Sequence, residues 1–141
     1  MQVSEVMTAQ VTTATPRATI KDVARTMAEV ESGAVPIVDD GKVVGLVTDR
    51  DIVLRVVAEG KTLETPVSEV MTEGVETCRA DDNVADATGK MSSKQIRRLV
   101  VLNESGKLAG ILSLGDVAID YGAKAVGRAL SEISENTPAA H

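Results

Sequence analysis

The chain has no tryptophan, no phenylalanine and a single tyrosine, Tyr121, among its 141 residues. Any core must therefore be assembled from Val, Ile, Leu, Met and Ala. Proteins that hold single-stranded nucleic acid usually stack bases on aromatic rings, and one ring makes no such platform. A net charge of −6 and a pI near 4.8 also speak against a basic, phosphate-tracking surface. Histidine is as scarce: His141 is the only one and ends the chain. Neither a buried catalytic imidazole nor a His-rich metal site is on offer. One cysteine, Cys78, cannot close an intramolecular disulfide, which fits a reducing cytoplasm. No apolar run approaches the roughly 20 residues needed to span a bilayer. No charged stretch followed by an apolar one opens the chain as a secretory leader would. The expectation is a cytoplasmic globular protein whose partners include neither membrane nor nucleic acid.

What is present is a sequence written twice. Ser4-Glu5-Val6-Met7-Thr8 recurs sixty-four positions later as Ser68-Glu69-Val70-Met71-Thr72. At the same offset Val11, Thr13, Asp22 and Met27 match Val75, Thr77, Asp86 and Met91. One inserted residue near Ser105 then shifts the match, so that Gly41-Lys42, Gly45 and Asp51 align with Gly106-Lys107, Gly110 and Asp116. An ordered series over some fifty positions is an internal repeat.

Each copy predicts β-α-β-β-α. Short β-prone pieces at 11–14 and 75–78 come first. In copy one a helix follows with Thr19 as N-cap and Ile20, Val23, Ala24, Met27 and Val30 on one face. In copy two the stripe is Val84, Ala87 and Met91. Apolar runs at 34–38 and 99–102, turn chemistry at 39–42 and 103–107, and second apolar runs at 43–47 and 108–112 predict two hairpins. Helices then start after Thr48 and Ser113. The first is opposed by β-branched Ile52, Val53, Val56 and Val57 but supported by the capping-box spacing of Thr48 and Asp51 and by a stop at Gly60. Ala125, Val126, Ala129, Leu130 and Ile133 form a further helical stripe, with a disordered tail from Asn136. The boundaries expected are 1–60 for the first motif, 61–122 for the second and 123–141 for the final helix and tail. A unit of sixty residues hides its sheet poorly. The expected fold is α+β, with two motifs packed sheet to sheet about a pseudo-two-fold axis.

V-M-T opening each copy, G-A-V-P-I-V at 33–38, G-L-V-T-D-R-D at 45–51, R-R-L-V-V-L at 97–102 and G-I-L-S-L-G-D at 110–116 together resemble a tandem cystathionine-β-synthase-type (CBS) domain pair. The resemblance covers about residues 3–120. It implies an adenosine-ligand site in clefts between the motifs, and dimers of pairs. Residue by residue, it makes Asp51 and Asp116 the ribose carboxylates, with Thr48 and Ser113 beside them for phosphate or ribose. Ala34, Val35 and Pro36 in copy one, and Arg98, Leu99 and Val100 in copy two, would offer backbone groups to adenine. Thr13 and Thr77 match positions that often touch ligand. Arg50 and Arg98 are the cations for phosphate. A plainer meaning stands beside this one: [ST]-x-x-D at a helix start is also an ordinary cap, as at Thr19 and Asp22, and the side chains of Val35, Ile37, Leu99 and Val101 suit a sheet core.

Val100 stands where copy one has Pro36, and Leu114-Gly115 replaces Asp49-Arg50, so the two sites are expected to differ. The resemblance implies a stand-alone sensor of AMP, ADP or ATP that needs no other cofactor. S-adenosylmethionine and NAD carry the same adenosine. Output would pass through a homodimer or an effector protein. The alternative is a ligand-free dimerisation scaffold. Catalysis ranks last, because no phosphate-binding G-x-x-x-x-G-K-[ST] loop, usable histidine or carboxylate cluster is present.

Overall fold

The computed structural model describes residues 1–120 and 130–133. They form two compact units, one of residues 1–10 with 76 onwards and one of residues 11–75. The units do not coincide with the repeats. The opening segment of copy one packs with copy two, and residues 67–72, which open copy two, pack with copy one.

The unit containing residues 76–120 has a four-stranded sheet. Its strands are β1 (Thr8–Ala9), β4 (Thr77–Arg79), β5 (Arg98–Leu102) and β6 (Leu108–Ser113), in the order β1-β6-β5-β4. β5 and β6 form an antiparallel hairpin, β1 joins β6 antiparallel, and β4 joins β5 in parallel. Helices α3 (Val84–Lys94) and α4 (Leu114–Asp120) complete it. The 11–75 unit holds α1 (Ile20–Val30), the hairpin β2 (Ala34–Asp39) and β3 (Lys42–Thr48), and α2 (Asp49–Ile52), which runs on as a π-helical turn over Val53–Val57. Its outer pairings shrink to single bridges, Thr72 to Leu46 and Ala14 to Ile37. These occupy the places that β1 and β4 take in the other sheet.

Most local expectations hold. Thr19 caps α1 by accepting from the Asp22 N–H at 3.2 Å, and Asn83 caps α3 by accepting from Ala85 N–H at 2.8 Å. Both helices end on a left-handed residue, Glu31 and Gln95. Ile20, Val23 and Met27 are buried with Val35, Ile37, Val47, Val56, Val67 and Val70. Val84, Ala87 and Met91 are buried with Val3, Val6, Leu99, Val101, Leu112 and Val117. Side chains of Val35, Ile37, Leu99 and Val101 are thus sheet core.

Three expectations change. Residues 11–13 form no strand; only Ala14 pairs, and the regular pairing near this end is at Thr8–Ala9. Ala24 and Val30 lie outside the buried stripe of α1, and both are exposed. The helix after Thr48 forms, but its β-branched run adopts the wider π turn, in which Ala58 N–H reaches the Val53 carbonyl. Val56 turns inward while Val53, Leu54 and Val57 stay exposed. Of the last stripe, Leu130 and Ile133 are described, with Ile133 buried in the core of the first-named unit. Its other members and the tail from Asn136 lie outside the described residues.

The V-M-T segments reach their sheets through repeat-equivalent glycines. A Cβ on Gly110 would lie 2.5 Å from the Thr8 carbonyl oxygen and 2.9 Å from the Met7 sulfur. One on Gly45 would lie 2.5 Å from the Met71 sulfur and 3.1 Å from the Thr72 carbonyl oxygen. The nearest neighbour of Gly110 is backbone paired to β6, so it cannot swing aside. Gly110→Ala is therefore expected to lower stability in urea by about 1–3 kcal/mol. Gly89→Ala, on α3 with nothing within 4 Å of the added carbon, should raise it by about 0.5–1 kcal/mol. Equal effects of the two substitutions would contradict this.

Candidate functional site

Strand alternation sorts the expected site residues by face. Val35 and Val47 are cross-strand partners in the core, so the neighbouring pairs, Ala34 with Thr48 and Pro36 with Leu46, share the opposite face. Leu99 and Leu112 are likewise core partners in the other unit. Arg98 with Ser113 and Val100 with Ile111 therefore share the face away from that core. Thr77 pairs with Val100 and joins it there. The structure thus gathers Ala34, Pro36 and Thr48 on one sheet face of the 11–75 unit, and Thr77, Arg98, Val100 and Ser113 on one face of the other. Thr13 is exposed and precedes Ala14, whose N–H and carbonyl bond to Pro36 and Val38 of β2. The Val35 and Leu99 side chains point into the cores, leaving only their backbone groups for a ligand.

The two carboxylates follow Thr48 and Ser113 in the same local geometry. Thr48 N–H donates to Asp51 Oδ2 at 2.9 Å, and Asp51 N–H donates to Thr48 Oγ1 at 3.2 Å. In the other unit Ser113 N–H donates to Asp116 Oδ2 at 3.1 Å, and Asp116 N–H donates to Ser113 Oγ at 3.1 Å. Both are reciprocal capping boxes, so the plain meaning of [ST]-x-x-D is present in both copies. The cap occupies one lone pair of Oδ2. An ionised carboxylate has about four acceptor positions and no donor, so each keeps room for hydroxyl groups brought to it.

Residues that sequence reasoning passed over complete the arrangement. Arg55 Nη2 lies 3.7 Å from Asp51 Oδ1, while its Nη1 donates to the Val70 carbonyl at 2.8 Å and to Thr72 Oγ1 at 3.3 Å. Thr8, the repeat partner of Thr72, places its hydroxyl 3.5 Å from each oxygen of Asp116. The spacing of Asp51 and Arg55, one helical turn apart, was the available signal. The threonine of V-M-T was visible as a repeated residue but had no partner until the fold supplied one. Of the expected cations, Arg50 is exposed beside Asp51, and Arg98 is half-buried across from Ser113.

Other chemistry is sparse. Among the described residues no three His, Cys, Asp or Glu come together as a metal site, and no helix is long and apolar enough to cross a membrane. A depression of about 170 Å³, lined by Gln2, Ser4, Ala80, Asp81, Asn103 and Glu104, lies at the other end of β5 and β6 from Ser113.

Comparison with known proteins identifies the family. The CBS domain family profile fits residues 3–58 and again 67–120. The chain belongs to the CBS domain family, and it carries the domain as a tandem pair. It is 40% identical to the CBS domain-containing protein YhcV of Bacillus subtilis over 133 residues, 94% of each chain. Its fold is similar to that of the CBS domain protein PAE2072 of Pyrobaculum aerophilum, solved in complex with AMP. The TM-score is 0.78 at 28% identity, covering 96% of this chain and 99% of that one. It is also similar to the CBS domain pair of protein MJ0100, solved with 5′-methylthioadenosine and S-adenosyl-L-methionine. There the TM-score is 0.78 at 27% identity, covering 88% and 98%.

Cys78 is buried on β4, and burial, with the nearby Asp82, pushes its thiol from 9.0 to about 11 although Lys90 opposes the shift. A thiol protonated at neutral pH is a poor nucleophile. The unfolded chain releases this proton first, so unfolding gains as pH climbs from 9.0 towards about 11. Two outcomes are expected: Cys78 reacts with a thiol reagent at pH 8 only after denaturation, and Cys78→Ala removes part of the stability loss above pH 9. Rapid modification of the native chain would contradict the burial.

Proposed function

We propose that the chain is a regulatory binding module for adenosine nucleotides of the AMP, ADP and ATP class and does not itself catalyse a reaction. The observation that carries this reading is the paired placement of Asp51 and Asp116. Each is a capped carboxylate with open acceptor positions, at the end of a strand face that also presents Thr48 or Ser113. A carboxylate of that kind accepts both hydroxyls of a ribose. Adenine is held by backbone groups of 34–36 and 98–100 and by aliphatic side chains. Thr77 adds its side chain on the face of Val100, Thr13 contributes from the segment before Ala14, and Arg50 and Arg98 answer the phosphate. Support comes from relatives of the same fold solved with AMP, and with S-adenosyl-L-methionine and 5′-methylthioadenosine. Those ligands share adenosine, and the sites described here would read that shared part.

Binding of such a ligand shifts the population of the protein's conformations, and the shift is passed on through a homodimer or an effector protein in the cytoplasm. Exposed Val53, Leu54 and Val57, close together on the helix that follows Asp51, support an apolar contact with a second copy. The α1 stripe offers little to such a contact, because Ile20, Val23 and Met27 are buried and only Val30 of its large residues is exposed.

Titration calorimetry with AMP tests the reading. Asp51→Ala and Asp116→Ala should each weaken binding at their own site by about 1.5–3 kcal/mol, the worth of hydrogen bonds to a charged group. Unchanged AMP affinity in both variants would show that the carboxylates serve only as helix caps.

A further inference from the structure

The two carboxylates are held differently, and the difference traces to one pair of repeat-equivalent positions. In the 11–75 unit the Arg55 guanidinium spans Asp51, the Val70 carbonyl and Thr72 Oγ1. Anchored on the V-M-T segment, it holds its charge at ion-pair distance, 3.7 Å, from Asp51 Oδ1, and the Asp51 side chain is only 16% exposed. In the other unit the position corresponding to Arg55 is Asp120. Among the described residues, Asp116 has in its place the Thr8 hydroxyl, 3.5 Å from both oxygens, a neutral group with no charge to hold the acid. A second acid one turn beyond Asp116 repels it and fixes nothing.

We propose that Arg55 is a positioning residue that sets how sharply the Asp51 site reads a ribose diol, and that the Asp116 site, lacking this tether, reads it less sharply. The inference rests on the adenosine reading above. Its physical basis is preorganisation. A carboxylate locked in one rotamer meets both hydroxyls without losing freedom, and cannot re-aim when one hydroxyl is missing. A carboxylate held by its cap and a neutral hydroxyl, with no cation beside it, turns more readily to keep the hydroxyl that remains. Arg55 acts through Asp51, beside which its guanidinium is anchored by the Val70 carbonyl and Thr72 Oγ1.

The test is titration of the full chain with adenosine and 2′-deoxyadenosine, whose lack of charge removes any direct pull of Arg55 on phosphate. Asp116→Ala leaves the Asp51 site alone to be measured, and Asp51→Ala leaves the other. The preference for adenosine is expected to be about threefold or more greater at the Asp51 site. Arg55→Gln should bring it down to that of the Asp116 site while weakening AMP and adenosine by the same factor. Asp120→Arg, at an exposed position, should raise the preference at the Asp116 site, and it carries the test alone if Arg55→Gln fails to fold. The proposal is overturned if Asp120→Arg, and Arg55→Gln where it folds, leave the preference unchanged. It is also overturned if Arg55→Gln weakens AMP much more than adenosine, which would make Arg55 a phosphate contact. If the native chain binds neither adenosine nor AMP, the adenosine reading itself falls and takes this inference with it. Binding that persists without the change in preference overturns the positioning role alone.

Discussion

The structure depends on a close approach of two backbones. In each unit a V-M-T segment lies against a strand glycine whose missing Cβ leaves space for a methionine sulfur and a carbonyl oxygen. That contact closes the hairpin edge that would otherwise stay unpaired. It seats Val3 and Val6 in one core and Val67 and Val70 in the other. It also brings Thr8 beside Asp116 and Thr72 beside Arg55. Packing and site geometry therefore share one cause.

The capping role and the proposed ligand role of the acids are compatible. A cap fixes the backbone at the strand-to-helix turn and takes part of one carboxylate oxygen. What remains is an oriented acceptor at the end of a strand face. The same spacing at Thr19 and Asp22 gives a cap alone, because the residue before α1 does not end a hairpin strand and no V-M-T threonine reaches that acid.

Much of this was legible because it is local. The helix starts at Thr19, Thr48 and Ser113 and both hairpins follow from residues within a few positions of one another. What was not legible depends on partners far along the chain. The β-prone stretch at 11–14 keeps a single bridge, Ala14 to Ile37, on the β2 edge, where its copy-two counterpart pairs over Thr77–Arg79 with β5; nothing within the stretch itself separates the two outcomes. The composition of the units could not be read from the repeat boundaries, since identical V-S-E-V-M-T segments suit either sheet. Val30 satisfies the helical spacing but falls at the helix end, past the reach of the core. Arg55 was hidden among apolar residues, and two of its three partners, the Val70 carbonyl and Thr72 Oγ1, appear only once residues 70–72 fold back onto the helix after Thr48.

The scarcity of aromatic rings, with Tyr121 the one in the sequence, leaves adenine, on the proposed reading, to aliphatic side chains and backbone groups, so recognition falls heavily on the ribose carboxylates. Thermal unfolding of the native chain against AMP concentration tests this central claim most directly. A ligand bound only by the folded state adds about 2.7 kcal/mol at 100 times its Kd, so Tm should climb steadily with the logarithm of AMP concentration. A Tm that stays fixed with AMP, and equally with ATP and S-adenosylmethionine up to millimolar concentration, would contradict the account.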